Sequence, residues 1–251
     1  MLVSIIGTGN VATVLGKLLV SKKYQIHQVF GRDKNATKLL AKQLHASPIF
    51  EVNKLDTVAD IYIIAVSDNS IQEVSNKINV GNKIIVHSAG AIDKNVLQYS
   101  SKNYGVLYPL QSIRKNMYLN TQIPFLIDAN NKKTLTVIKK IATSLSKNIA
   151  VANDDQRLHL HIAAVFANNF VNYMYQISEA ICKENKVDFK LLQPLIEETT
   201  NRLQQHHPKK VLTGPAIRKD FETIKKHQKA LKKNKELLKL YNSITQSILK
   251  N

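Results

Sequence analysis

The first dozen residues constrain this chain more than any other segment. Leu2-Val3-Ser4-Ile5-Ile6 is a short apolar run rich in β-branched residues, and Gly7-Thr8-Gly9-Asn10-Val11-Ala12 follows at once. The next stretch, Asn10–Ser21, has Val11, Leu15, Leu18 and Leu19 at helical spacing. A strand that turns directly into a helix through G-x-G-x-x-A suits the binding of a nucleotide's phosphates. Gly7 permits the tight turn, Gly9 lets the backbone approach a pyrophosphate, and Ala12 is small enough for the helix to lie close to the strand. The loop from Gly7 to Ala12, with Thr8, Asn10 and Val11 in it, then offers free N–H groups at the positive end of a helix.

The pattern continues through the first half. Strands are expected at Gln25–Phe30, Ile61–Val66, Lys83–His87, Gly105–Tyr108, Pro124–Ile127 and Asn148–Val151. Helices are expected between them at Ala36–Leu44, Ile71–Ile78 and Lys132–Leu145. Strands alternating with helices predict an α/β fold with a doubly wound, mostly parallel sheet of the Rossmann type. From Asp154 onward the strand pattern stops. A long helix to about Lys183, helices over Phe189–Gln205, Asp220–Lys233 and Lys235–Leu249, and a loop over His206–Ile217 with Pro208, Gly214 and Pro215 are expected. The chain therefore divides into a nucleotide-binding domain, residues 1–152, and an all-helical domain, residues 153–251.

Composition narrows the classes. No run of eighteen apolar residues is present, so no membrane span is expected. Met1 to Gly7 lacks the basic and small-residue features of a signal peptide, and a single cysteine, Cys182, suits a reducing, cytoplasmic setting. The formal charge is +18. Its lysines are spread through the chain except in the last quarter, where Lys225, Lys226, Lys229, Lys232, Lys233, Lys235 and Lys239 gather around one acid, Glu236. Few aromatics interleave with them, so the cluster reads as a solvated helix face and no nucleic-acid partner is expected. Adjacent His206 and His207 lack a third ligand in sequence, and no metal is expected.

The second strand ends in Val29-Phe30-Gly31-Arg32-Asp33. An NAD-binding chain places an acid at that end, on the ribose. Here Gly31 leaves room for a 2′-phosphate and Arg32 can pair with it, which favours NADP over NAD. The alternative is that Arg32 is a surface residue and Asp33 reaches the ribose. Beyond the next strand, Val66, Ser67 and Asp68 are placed to touch the cofactor, although Ser67 and Ser70 are equally suited to cap the following helix. Ser88 and Gly90, in His87-Ser88-Ala89-Gly90, fall near the nicotinamide end, and Tyr108-Pro109-Leu110-Gln111-Ser112 near the floor of a substrate site.

The order GTGNVATVLG, AVSDNSI, VHSAG, YPLQS, HLHIAAVFANNFVN and LTGPAIRKD resembles the Rossmann-like proteins that carry a DUF2520 domain. These are often assigned as NADP oxidoreductases or as relatives of the F420-dependent ones. In plan they are similar to ketopantoate reductase, pyrroline-5-carboxylate reductase and the β-hydroxyacid dehydrogenases. The resemblance implies a hydride-transferring enzyme for a small polar substrate, a homodimer formed through the helical domain, and an active site between domains. β-Hydroxyacid dehydrogenases carry a proton-donating lysine four residues before an asparagine on the first long helix. Here the corresponding residue is Val165 for Asn169 and Asn168 for Asn172, and no lysine lies in His159–Asn172. His161 is the candidate proton donor in its place, with a packing role as the alternative. The resemblance points to Asn169 for orienting a carbonyl. Arg218 is the candidate clamp for a substrate carboxylate, with an Arg218–Asp220 pair or a helix cap at Asp220 as the alternatives. The missing lysine also leaves a second function open, a non-catalytic NADP-binding sensor or scaffold.

Overall fold

The computed structural model describes residues 1–117 and 122–250. They form two compact units, residues 1–174 and 175–251. The first holds eight strands: β1 (Leu2–Ile6), β2 (Gln25–Phe30), β3 (Ser47–Ile49), β4 (Ile61–Ile64), β5 (Ile84–His87), β6 (Asn103–Pro109), β7 (Phe125–Ala129) and β8 (Ile149–Val151). They lie in one sheet in the order β3-β2-β1-β4-β5-β6-β7-β8. All neighbours are parallel except β6 and β7. Strand order reverses at β1, so the crevice for a ligand lies beyond the carboxyl ends of β1 and β4.

Alternation along the strands explains why the sheet is covered on both faces. Val3 and Ile5 of β1, Ile61 and Ile63 of β4, and Val86 of β5 pack with the apolar stripes of α1 (Asn10–Ser21), α2 (Lys34–Leu44) and α4 (Lys132–Leu145). Ile6, Tyr62, Ile64 and Ile85 point the other way, onto Ile71 of α3 (Asp68–Ser75) and Leu97 of a short 3-10 turn, Lys94–Leu97. The strand β3 has no counterpart in the sequence expectations. It is three residues long with Pro48 at its centre, and such a residue is tolerated only at an edge. The helix α3 begins three residues earlier than its apolar spacing suggests, because Ser67 is its N-cap residue.

A helical run leaves the sheet as α5 (Asp154–Ala164), opened by a capping box between Asn153 and Gln156. It continues through a π-helical turn at Val165–Phe170 into α6 (Val171–Glu184). Four charges staple α5 to the sheet. Lys94 Nζ reaches Asp128 at 2.9 Å and Asp154 at 2.7 Å, and Arg157 reaches Asp154 at 2.6 Å and donates to the Ile92 carbonyl. Arg157 is only 1% exposed. Removing one partner of such a buried set leaves an uncompensated charge, at a cost of about 3–5 kcal/mol.

The second unit is helical: α7 (Gln193–Gln205), the four-residue α8 (Pro208–Val211), α9 (Phe221–Ala230) and α10 (Lys235–Lys250) follow the end of α6. The short α8 interrupts the expected 206–217 loop, with Pro208 at its start. Hydrogen bonds of 2.9 Å from His227 to Tyr241 and from Gln228 to Asn242 tie α9 to α10. Lys225, Lys226, Lys229, Lys232, Lys233, Lys235 and Lys239 are all exposed, as a solvated face requires.

His87, at the end of β5, is fully buried. Burial first, and the Arg157 guanidinium second, push its pKa down to about 3. The unfolded chain takes up this proton near pH 6.5 and the folded chain only near 3. The stability that His87 contributes is therefore complete above pH 6.5 and is lost as pH falls towards 3. Urea midpoints measured between pH 6.5 and 5, before the carboxylates titrate, should fall in the wild type and lose most of that slope in His87→Asn.

Candidate functional site

The loop between β1 and α1 is set by Gly7, whose φ is +127°. Its N–H donates to the Phe30 carbonyl at 2.8 Å, and a Cβ there would sit 2.2 Å from the Ala65 carbonyl oxygen. Only glycine allows the ends of β1, β2 and β4 to converge so closely. Gly9 is the N-cap of α1 and has no side chain to satisfy the first turn, which contains no acid either. A Cβ on Gly9 would meet no protein atom within 4 Å. The absence of a side chain at Gly9 thus leaves open space over bare helix amides, the cradle a pyrophosphate needs. Ala12, in the first turn of α1, is fully buried.

That cradle is one end of a groove of about 620 Å³. Gly7, Thr8, Gly9, Asn10 and Val11 line it, with Arg32, Val66 and Ser67 of the expected cofactor residues. Asp33 at the start of α2, Glu73 of α3, Lys77 just past the end of α3, and Gln111 from the segment after β6 also line it. Asp68 and Ser88 do not line it. Asp68 borders a separate hollow with Asp93 and Tyr99, and the Ser88 hydroxyl donates to the Ile64 carbonyl at 3.3 Å.

Three details refine the sequence reading. The space beside Gly31 is not reserved for a phosphate: a Cβ there would lie 2.4 Å from Thr37 Oγ1 and 2.6 Å from Thr8 Cγ2, so glycine is needed for packing inside the protein. Asp33 caps α2 by accepting from the Ala36 N–H on Oδ1 at 3.0 Å, and it also lines the groove beside Arg32. Ser67 makes no side-chain cap bond; its hydroxyl pairs with that of Ser70 at 2.9 Å, and both line the groove.

A second constellation forms beyond β5 and β6. The Tyr108 hydroxyl is 2.9 Å from His161 Nδ1, with the rings edge to face. Gly90 fits against this pair, since a Cβ on it would lie 2.9 Å from both rings. Burial raises the Tyr108 pKa, the Asp68 charge adds to this, and Arg157 opposes it. The phenol is thus held protonated at neutral pH. The π-helical turn presents Asn168, whose amide donates to the Ser112 hydroxyl; such turns frequently mark functional positions. Asn169, the candidate carried by the resemblance, is exposed beside it. In the second unit Arg218 is exposed, and Asp220 caps α9 through Thr223 N–H at 3.0 Å and Thr223 Oγ1 at 2.8 Å. Among the described residues, no three His, Cys, Asp or Glu side chains gather closely enough to hold a metal.

The sequence places Tyr108 only within a segment near the floor of a substrate site, without a chemical role, and gives none to Glu73 and Lys77. Tyr108 carried a signal as the last aromatic of an apolar strand, but its partner lies 53 residues away. Glu73 and Lys77 showed only i, i+4 spacing.

Fold and groove together define a dinucleotide-binding chain of the oxidoreductase kind. Residues 123–248 match the family described as DUF2520, a domain of unknown function, and the chain belongs to that family. Residues 2–90 match the family described as NADP oxidoreductase, coenzyme F420-dependent. The Bacteroides fragilis protein BF3122, provisionally assigned as an NADP oxidoreductase, is 33% identical, with a TM-score of 0.91 over 100% of this chain and 98% of that one. The 1-pyrroline-5-carboxylate reductase of Streptococcus pyogenes shares the fold at 15% identity, with a TM-score of 0.65 over 100% of this chain and 99% of that one. An imine reductase from Myxococcus stipitatus, in complex with NADP+, shares it at 16% identity and a TM-score of 0.62, over 100% and 92%. No curated protein matches the chain significantly. No helix of the described residues is long and apolar enough to cross a membrane.

The two glycines have opposite consequences. Gly7→Ala should disrupt the sheet and lower the melting temperature. Gly9→Val should leave the melting temperature near that of the wild type and abolish dinucleotide binding, as read by calorimetry beside thermal unfolding.

Proposed function

We propose that this chain is an NADP(H)-dependent oxidoreductase that moves a hydride between the nicotinamide and the carbonyl or imine carbon of a small polar substrate. The observation that carries the reading is the groove: bare amides at the start of α1, open space over Gly9, and the Arg32 cation at the end of β2. These residues fit a dinucleotide bearing a 2′-phosphate. Gly9 to Ala12 would hold the pyrophosphate, Ser67 and Ser70 the ribose side, and Arg32 the 2′-phosphate. When bound, the nicotinamide supplies the hydride chemistry.

The chain supplies the proton. Tyr108 holds a proton at neutral pH and donates it to the substrate oxygen or nitrogen as hydride reaches the neighbouring carbon. His161, half-exposed and in contact with the Tyr108 hydroxyl through Nδ1, returns a proton to the phenolate and exchanges it with water. This pair takes the place of the lysine that the π-helical turn lacks. Asn168, held by Ser112, and its neighbour Asn169 are the candidates for orienting the substrate. A homodimer is part of the proposal: Leu191, Leu195 and Phe221 are largely exposed apolar side chains in the second unit, of the kind a partner subunit covers. A single cysteine suits a cytoplasmic location.

Titration with NADPH and NADH tests the cofactor. NADPH should bind more tightly, and Arg32→Ala should weaken it at least tenfold, about 1.4 kcal/mol. Failure of the wild type to bind either nucleotide would remove the oxidoreductase reading. Tyr108→Phe should lower NADPH-dependent turnover of small ketones and cyclic imines about 100-fold, with the NADPH dissociation constant unchanged. Equal activity in the two proteins would exclude Tyr108 as the acid and favour a chain that senses NADP(H) without catalysis.

A further inference from the structure

The groove carries a charge arrangement that Arg32 alone does not account for. Lys77 and Glu73 stand on its wall with Arg32. Lys77 Nζ and the Glu73 carboxylate are paired at 2.6 Å, and both side chains are more than half exposed. Hydrogen bonding from Lys77 first, then the Lys77 charge and the more distant Arg32 charge, hold the Glu73 carboxyl below the usual carboxylate range. Two cations, Arg32 and Lys77, and two carboxylates, Glu73 and the helix-capping Asp33, therefore line the groove, and of the two carboxylates Glu73 is the one paired with Lys77.

We propose that Lys77 is a second ligand of the nucleotide's 2′-phosphate, and that Glu73 limits how strongly the groove prefers NADPH to NADH. The proposal rests on the NADP(H) reading of the groove. Exposed ion pairs of i, i+4 type contribute little, so Lys77 can leave Glu73 for a better anion at small cost. A phosphate monoester carries about −1.5 to −2 charges and three strong acceptor oxygens, which a lone guanidinium satisfies in part. Lys77 adds a mobile point charge to the planar fork of Arg32. Glu73 opposes both: it competes for Lys77 in the free protein and repels the phosphate in the complex. NADH has no 2′-phosphate; its charge lies on the pyrophosphate, which the amides after Gly9 hold, so neither residue has a charge at the ribose 2′ position to act upon. Selectivity is then the difference between an attraction and a built-in repulsion.

Calorimetric titration of wild type, Lys77→Ala and Glu73→Gln with NADPH and with NADH, at one fixed low ionic strength, tests this. Lys77→Ala should weaken NADPH about tenfold and leave NADH within twofold. Glu73→Gln should tighten NADPH at least threefold and leave NADH unchanged. Both substitutions are at exposed positions, and unchanged melting temperatures will confirm intact folds. The proposal is overturned if Lys77→Ala leaves NADPH within twofold or weakens both nucleotides equally, or if Glu73→Gln weakens NADPH. A wild type without any NADPH preference would instead overturn the NADP(H) reading itself, whatever the variants do.

Discussion

Everything in the first unit depends on the crossing at Gly7. The backbone there takes a φ of +127° and passes so close to the Ala65 carbonyl that no side chain fits between. That contact joins the ends of β1 and β4, the two strands at which the sheet reverses its order. It therefore fixes where α1 begins, in which direction its free amides point, and where the groove opens. A position with open space over it, Gly9, lies two residues on. One glycine permits the fold and the other leaves room for the ligand, and the two are told apart by what a Cβ would meet.

A second constraint is electrostatic. A chain with a net charge of +18 has few carboxylates to spare. Two of them, Asp128 and Asp154, serve a buried cluster with Lys94 and Arg157. The cluster fastens the start of α5 to the loop after β5, the loop that contains Gly90. The same helix carries His161 one turn further along, against Tyr108. The fixed cluster thus holds the Tyr108–His161 pair in register with the ends of β5 and β6. Burial of Arg157 is costly in isolation; it is sustained by Asp154 and the Ile92 carbonyl, and its charge also bears on His87 and Tyr108. The many exposed lysines of α9 and α10 do no comparable work in the fold.

The strands β1, β2, β4 and β5 were legible because each is a short apolar run bounded by polar or glycine-containing segments, and the G-x-G-x-x-A loop stands in the context its chemistry requires. The helical second half was legible from spacing alone. Other features depend on contacts between distant segments, which spacing does not encode. The glycine at position 31 is required by the packing of Thr8 and Thr37 beside it, which spacing does not show. The edge strand β3 is too short to leave a pattern. His161 and the Tyr108 segment were each readable as parts of a site, but their pairing was not, because the bond joins the end of a strand to a helix far along the chain. Asn169 is the position the resemblance points to; the π-helical turn brings its neighbour Asn168 to Ser112, a contact that neither the resemblance nor spacing encodes.

The account stands or falls on where a dinucleotide lies. A crystal structure of the protein with NADP+ measures this directly. The account predicts the pyrophosphate on the amides that follow Gly9, the 2′-phosphate within hydrogen-bond distance of Arg32, and the nicotinamide ring on the side of the sheet end that carries Tyr108 and His161. A nucleotide bound outside this groove, or one in it with the nicotinamide directed away from Tyr108, would contradict it.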